Sequence, residues 1–308
     1  MKIATMATGG IGGYLAVLLT RAGHQVATIA RGDHLAAIRA EGLRLEGVDH
    51  NETVRPWIAT DNPAEIGPVD AIIFGVKGDG LPAAAKACLP LLGPQTVVVP
   101  FLNGVEAAER LAAYIPAHHI AEGVAKVLTT ITAPGLITQT GSFNTFIFAE
   151  RDNRPSARIA ALQSAINDAG SNAPVADDIQ RELWRKFILF SALSGVTATA
   201  RCTIGDIKDH APLAELFRAA MAETAALGRA RGVALEPEIE SSIWEDVKLL
   251  PPQGRASTAI DVEHGRPLEI EWVSGAVARL AVQSAIAAPI NTALYALLLP
   301  YRAGRPNS

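Results

Sequence analysis

The residues best suited to chemistry appear within the first dozen positions. Ala7-Thr8-Gly9-Gly10-Ile11-Gly12 follow a short β-rich run over Lys2–Met6 and open a helical pattern over residues 11–22. A glycine turn between a strand and a helix is the setting that dinucleotide binding requires. Gly9 would let the backbone approach a pyrophosphate. Gly12 would let helix and strand pack closely, and free N–H groups at the helix N-terminus would face the phosphates. Ala7 stands where the first glycine of such a turn usually lies, which is tolerable only if its φ stays negative. Without a ligand, the same residues would make an ordinary tight strand–helix turn.

A second group follows the next strand. Residues 25–30 read as β, and the segment ends Ile29-Ala30-Arg31. Arg31 lies 31 − 12 = 19 residues past Gly12, close to the offset of about 20 at which NAD-binding proteins place an acid for the ribose hydroxyls. An arginine there can grip a 2′-phosphate in a charge-assisted pair. NADPH is therefore favoured over NADH. Asp33 stands close enough in sequence to leave a ribose contact open.

The elements that must position these groups alternate in the first half. Strand signals over residues 69–75 and 96–101 join the two already named, with Gly93-Pro94 punctuating a turn before the latter. Gly23 falls in the usual place after a helix C-terminus. Alternation of this kind predicts a doubly wound, Rossmann-type parallel sheet, an α/β fold. Residues 135–150 read as an appended strand pair. Near residues 175–177 the texture changes to helices over 178–200, 212–231, 271–283 and 289–298, with Gly232 closing the second and Pro237 opening another. The expected division is a dinucleotide-binding domain over 1–176 and an all-helical domain over 177–308. The tail from residue 302 onward is expected to fray.

Composition narrows the function classes. In 308 residues, 49% are hydrophobic and 19% charged, enough to bury a large core. A net charge of −4 supplies no basic field for nucleic acid or for an anionic membrane. Cys88 and Cys202 make no disulfide framework, and the scattered histidines suggest no metal site. The longest uncharged apolar run, residues 187–200, is too short to span a bilayer. The apolar N-terminus is broken by four glycines, which argues against a signal-peptide core. A soluble cytoplasmic protein without nucleic-acid or membrane partners is expected, with a homodimer left open.

With these residues in hand, the chain resembles the ketopantoate reductase (2-dehydropantoate 2-reductase) family along nearly its whole length. The resemblance rests on residues 9–13, Ile29-Ala30-Arg31-Gly32, Val76-Lys77, Asn103-Gly104, Glu182-Leu183-Trp184-Arg185-Lys186, Ser257, and Glu269 within Gly265-Arg266-Pro267-Leu268-Glu269-Ile270. It implies a Rossmann domain followed by a helical domain, with the active site between them. It also implies NADPH as cofactor and reduction of 2-dehydropantoate to pantoate, a step of pantothenate biosynthesis. By the same resemblance Lys186 is the general acid, and Asn103 contacts the nicotinamide side and orients the lysine. Lys77 lies near the cofactor, Ser257 binds the substrate carboxylate, and Glu269 touches substrate hydroxyl or cofactor.

That chemistry is physically coherent. Hydride addition to a ketone builds negative charge on the carbonyl oxygen, which a donor must stabilise and protonate. A lysine, with a reference pKa of about 10.4, supplies both field and proton. Taken one at a time, Lys186 reads as a surface salt-bridge residue, Glu269 as a solvated carboxylate and Asn103-Gly104 as a turn.

The chain departs from the family's pattern at three places. Ala7 replaces a glycine, and Leu102 precedes Asn103 where glutamine is frequent. Members can carry asparagines four and eight residues after the lysine, where this chain has Phe190 and Ser194. Positions i, i+4 and i+8 share a helix face, so Phe190 and Ser194 are candidate substrate contacts on a less polar face. Phe190 pointing into the core is the competing expectation. A reductase of a more apolar 2-oxo acid is thus one alternative, and a non-catalytic NADP(H) sensor is another. The sensor would need only the first domain's fingerprint.

Overall fold

Short β-rich runs separated by helix signals fold here into one parallel sheet and one smaller mixed sheet. A computed structural model of the chain describes residues 1–305. They divide into two compact units, one of Met1–Leu102 with Glu106–Ile179, the other of Asn103–Val105 with the chain from Gln180 onward.

The first unit holds β1 (Lys2–Met6), α1 (Gly10–Arg21), β2 (Gln25–Ile29), α2 (Gly32–Glu41), β3 (Leu43–Glu46), β4 (Asn51–Val54) and β5 (Ile58–Thr60). It continues with β6 (Val69–Phe74), α3 (Leu81–Ala87), β7 (Leu92–Pro100), α4 (Ala107–Leu111), β8 (Ala121–Ala133), β9 (Leu136–Glu150) and α5 (Ala157–Asp168). Five strands pair in the order β5-β2-β1-β6-β7, all parallel. Chain order reverses between β1 and β6, the switch point at which doubly wound sheets bind ligands. Met6 is level with Ile29 on one side and with Phe74 on the other. Both faces of the sheet are covered, so Ile3, Ala4, Ile72 and Val98 are fully buried and the strands read as unbroken apolar runs. Helix α1 buries Leu15, Leu18 and Leu19 completely, each contributing roughly 1.5–3 kcal/mol.

The second sheet, β4-β3-β9-β8, differs from the expectation for this region. The strand pair is real, but it starts at Ala121 rather than at residue 135, and β8 and β9 form a long antiparallel hairpin. Gly135, with φ 74°, is its turn rather than its beginning. β3 alternates buried Leu43 and Leu45 with Arg44 and Glu46 over only four residues, too short a run to stand out, and it pairs with both β4 and β9. The Gly93-Pro94 turn is also corrected. β7 already begins at Leu92, opposite Val69, and a register shift between Val69 and Ala71 accommodates the pair.

The second unit is helical: α6 (Ile179–Ala200), α7 (Ile204–Asp209), α8 (Ala211–Ala230), α9 (Ile239–Leu249), α10 (Ser257–Glu263), α11 (Ser274–Gln283) and α12 (Pro289–Leu298). Pro237 stands two residues before α9, and Glu271 belongs to a 3-10 turn over Ile270–Trp272 rather than to α11. Gly195 of α6 meets α12 closely, since a Cβ there would lie 2.8 Å from Leu294 Cδ1. Glu223 on α8 accepts from the backbone N–H groups of Ile290 and Asn291 at 2.8 and 2.9 Å, satisfying donors that open α12. The tail is tied down as far as it is described. Leu268 N–H donates to Arg302 O at 2.9 Å, and Arg305 N–H donates to Gly265 O at 3.3 Å. The expected fraying of residues 306–308 lies outside the described residues. Among the described residues, no helix is long and apolar enough to cross a membrane.

Candidate active site

The glycine turn follows the carboxyl end of β1. Thr8 is buried. Its N–H donates to Ile29 O at 2.9 Å, and its hydroxyl meets that of Thr5 at 2.8 Å. The four glycines divide their work by space. A Cβ on Gly10 would run into Thr129 O, one on Gly12 into Ala7 O, and one on Gly13 would lie 2.6 Å from the Ile137 side chain. At Gly9 the nearest atom to such a Cβ is Gly75 O at 3.9 Å, so this glycine faces open space. Gly9 is also the N-cap of α1, and no side chain caps that end. The first N–H groups of the helix, with Ile11 among them, have no side-chain acceptor and are free for an anion. Ala7 is not among the residues with positive φ, which removes the steric objection to alanine there.

The neighbouring strands deliver their following residues to the same sheet edge. Arg31 comes two residues after β2, is exposed, and is the extended N-cap of α2 (φ −138°). Lys77 comes three residues after β6, is exposed, and precedes a 3-10 turn over Gly78–Gly80.

One residue that sequence reasoning passed over ties this edge together. His34, in the first turn of α2, contacts Thr8 O through Nε2 at 2.9 Å and Gly135 N through Nδ1 at 2.9 Å. A backbone N–H can only donate and a carbonyl can only accept. Nδ1 is therefore the acceptor and Nε2–H the donor, which is the neutral tautomer. Burial lowers the His34 pKa, partly opposed by the bond to Thr8. A lone histidine two residues past a helix start carries no signal of this in sequence.

The sign of that shift makes a prediction. The folded state binds the His34 proton less readily than the unfolded chain, whose histidine titrates near 6.5. The stability it contributes is present above about pH 6.5. It is lost as pH falls from there through the lowered folded value. Urea unfolding of the protein and of His34→Gln, compared at pH 8 and pH 5, should show the larger loss in the unmodified protein. His24, whose pKa is also lowered, is common to both and cancels. Parallel losses would remove His34 from this role.

In the second unit, α6 carries Lys186. Its buried seam of Leu183, Trp184, Phe187, Ile188 and Ala192 leaves Lys186 and Phe190 on a half-buried face one turn apart. Lys186 Nζ donates to Asn103 Oδ1 at 3.3 Å and lies 5.7 Å from the centre of the Phe190 ring. Phe190 thus presents its ring to the ammonium, a cation–π distance, rather than turning into the core. Arg185 on the adjacent position points elsewhere, bonding Asp246 of α9 at 2.6 Å.

Asn103 is held by its neighbour. Gly104 has φ 91°, and a Cβ on it would lie 2.5 Å from Trp272 O, so only glycine allows this approach. The contact brings the Asn103 loop against the 3-10 turn over Ile270–Trp272, whose N-cap is Glu269, itself half-buried. Ser257 is the exposed first residue of α10. Ser194 is fully buried, and its hydroxyl is hydrogen-bonded to that of Thr258. The structure therefore groups Lys186, Asn103 and Phe190, sets Glu269 on the turn beside the Asn103 loop, and gives the Ser194 hydroxyl a buried partner of its own.

Known proteins match both halves. Residues 3–153 match the family described as ketopantoate reductase PanE/ApbA, and residues 178–302 match that family's C-terminal portion. A 2-dehydropantoate 2-reductase of Mesorhizobium japonicum is 33% identical over 306 residues, covering 91% of each chain. The crystal structure of a PanE/ApbA family ketopantoate reductase from Ralstonia eutropha superposes with a TM-score of 0.89 at 30% identity, covering 98% of each chain. A D-mandelate dehydrogenase solved with NADH and anilino(oxo)acetate shares the fold, with a TM-score of 0.87 at 20% identity over 98% of each chain.

Proposed function

The chain belongs to the ketopantoate reductase family, and we propose from that premise that it uses NADPH to reduce a small 2-oxo acid to the 2-hydroxy acid, ketopantoate to pantoate being the leading pair. The observation that carries the reading is the 3.3 Å hydrogen bond from Lys186 Nζ to Asn103 Oδ1, which holds a cationic proton donor in one place. The open space at Gly9, the uncapped start of α1 and the exposed Arg31 suit a dinucleotide with a 2′-phosphate. Ala7, Thr8, Gly9, Gly10, Ile11 and Gly12 would hold its pyrophosphate, Arg31 its 2′-phosphate, and Lys77, Asn103 and Glu269 its remaining polar groups. When bound, the nicotinamide supplies a hydride to the carbonyl carbon.

The rest of the chemistry belongs to side chains. As the carbonyl carbon gains two electrons, its oxygen becomes an alkoxide. Lys186 stabilises that charge and transfers a proton from Nζ to the oxygen, leaving a neutral amine and a secondary alcohol. Asn103 keeps Nζ aimed by accepting another of its three N–H bonds. Ser257 would bind the substrate carboxylate, and Glu269 would take the hydroxyl of substrate or cofactor.

A second reading within the same chemistry has its own support. The Phe190 ring stands beside the ammonium and the Ser194 hydroxyl is spent on Thr258, so the lysine's face offers little to a substrate hydroxyl. The D-mandelate dehydrogenase neighbour, with its bound anilino(oxo)acetate, carries an aryl ligand on the same fold. The test is kcat/KM with NADPH for ketopantoate against the branched 2-oxo acid that lacks its hydroxyl. An apolar face should discriminate weakly, by roughly 10²-fold or less, whereas a site built to read the hydroxyl reaches about 10⁴–10⁵. Preference for ketopantoate beyond 10⁴ would overturn the apolar alternative. No turnover of any 2-oxo acid would leave a cofactor sensor and overturn both.

A further inference from the structure

We propose that the second unit carries a separate site for a small oxyanion of the phosphate class, in a cavity of about 200 Å³ lined by Arg201, Arg266, Arg305 and Tyr301. Two glycine turns build it. Gly265 and Gly304 have φ of 62° and 98°, and a Cβ on Gly304 would lie 2.7 Å from Gly265 O. A Cβ on Gly265 would run into the Arg305 side chain, so the bare backbone is what lets that arginine lie across the turn. Arg201 joins from the end of α6, held in left-handed backbone with φ 52°.

The charge in this concavity is unbalanced. Among the described residues its lining holds three arginines against a single carboxylate, Glu263, a net of 3 − 1 = +2 on a chain whose total is −4. Glu263 is itself bonded to Arg255, and Arg266 lies at the long ion-pair distance of 3.7 Å from Asp261. Three arginine side chains lining one small cavity repel one another less when an anion lies among them. The backbone cannot be the receptor. The N–H groups of Gly265, Arg266, Gly304 and Arg305 bond to Val262 O, Asp261 O, Tyr301 O and Gly265 O at 3.2, 2.8, 2.9 and 3.3 Å. The donors left for a ligand are guanidinium forks and a phenol, which suit an oxyanion with several acceptor oxygens. Arg201 and Arg305 are exposed, so the anion enters from solvent. The volume is below the 300–1,000 Å³ usual for drug-sized ligands. The site therefore takes inorganic phosphate or the phosphoryl end of a small phosphomonoester, not a nucleotide.

The test titrates orthophosphate, glycerol 3-phosphate and chloride at matched ionic strength by calorimetry. The protein carries Arg31→Ala in every arm, to weaken phosphate binding at the proposed cofactor site. Orthophosphate should give saturable binding that chloride does not. Arg201→Gln with Arg305→Gln should weaken it by about tenfold or more. Tighter binding of glycerol 3-phosphate identifies a phosphomonoester ligand, and equal or weaker binding identifies free phosphate. If the glutamine pair does not fold, Arg201→Lys with Arg305→Lys keeps the charge but loses the fork, and is read by the same outcomes. Phosphate heats no different from chloride, or affinity unchanged in the folded double variant, overturns the site.

Discussion

Replacing Lys186 by alanine should lower kcat by about 10²–10⁴, the usual contribution of a positioned general acid. The loss should appear in kcat and in kcat/KM alike, because the proton reaches the carbonyl oxygen only as charge develops there. NADPH affinity should change far less, since the glycine turn and Arg31 both belong to the first unit. Asn103→Ala should show a smaller fall in kcat, as the hydrogen bond to Nζ orients the lysine without supplying the proton. Steady-state kinetics with a well-turned-over 2-oxo acid, together with fluorescence titration of NADPH, measures both quantities. Near-normal kcat in Lys186→Ala would take the lysine out of the mechanism. A matching collapse of NADPH affinity would show damage to the fold instead.

The second large effect is on cofactor choice. NADPH should bind more tightly than NADH by about 1.5–3 kcal/mol, the worth of a hydrogen bond to a charged group, or roughly 10- to 150-fold. Arg31→Ala should erase most of that gap by weakening NADPH and leaving NADH nearly unchanged. Because Arg31 is exposed, the gap should also narrow as salt is raised, the screening length falling to about 3 Å at 1 M. Equal affinities in the unmodified protein would sink the assignment. In that event Asp33, in the first turn of α2, becomes the candidate ribose contact. The His34 bond to Thr8 O ties the same end of α2 to the glycine turn, so these two elements are fixed to each other through a neutral imidazole.

Local chemistry determined much of this protein in advance. Strand–glycine–helix order at residues 2–22, Arg31 after the second strand, and helix patterns from residue 178 onward are short-range signals. Backbone sterics and side-chain periodicity make them legible one segment at a time. They sufficed for the parallel sheet, the helical second half and the family. What they could not supply was any property created by residues far apart in the chain meeting in space. The strands β3 and β4 exist because β9, some ninety residues later, offers β3 an edge. The absence of a side chain at Gly10 and at Gly13 is explained by Thr129 and Ile137 on the hairpin. His34 becomes a bridge only because Gly135 arrives from a turn 101 positions away. Whether Phe190 faced the core or the lysine was open on the helix wheel and was decided by packing, as was the pairing of Ser194 with Thr258. Residues 302–305, expected to fray as part of a chain terminus, are held in part because Gly265 leaves room for Arg305. Hydrogen bonds and close contacts act within a few ångströms, and only the folded chain sets which residues come within that distance.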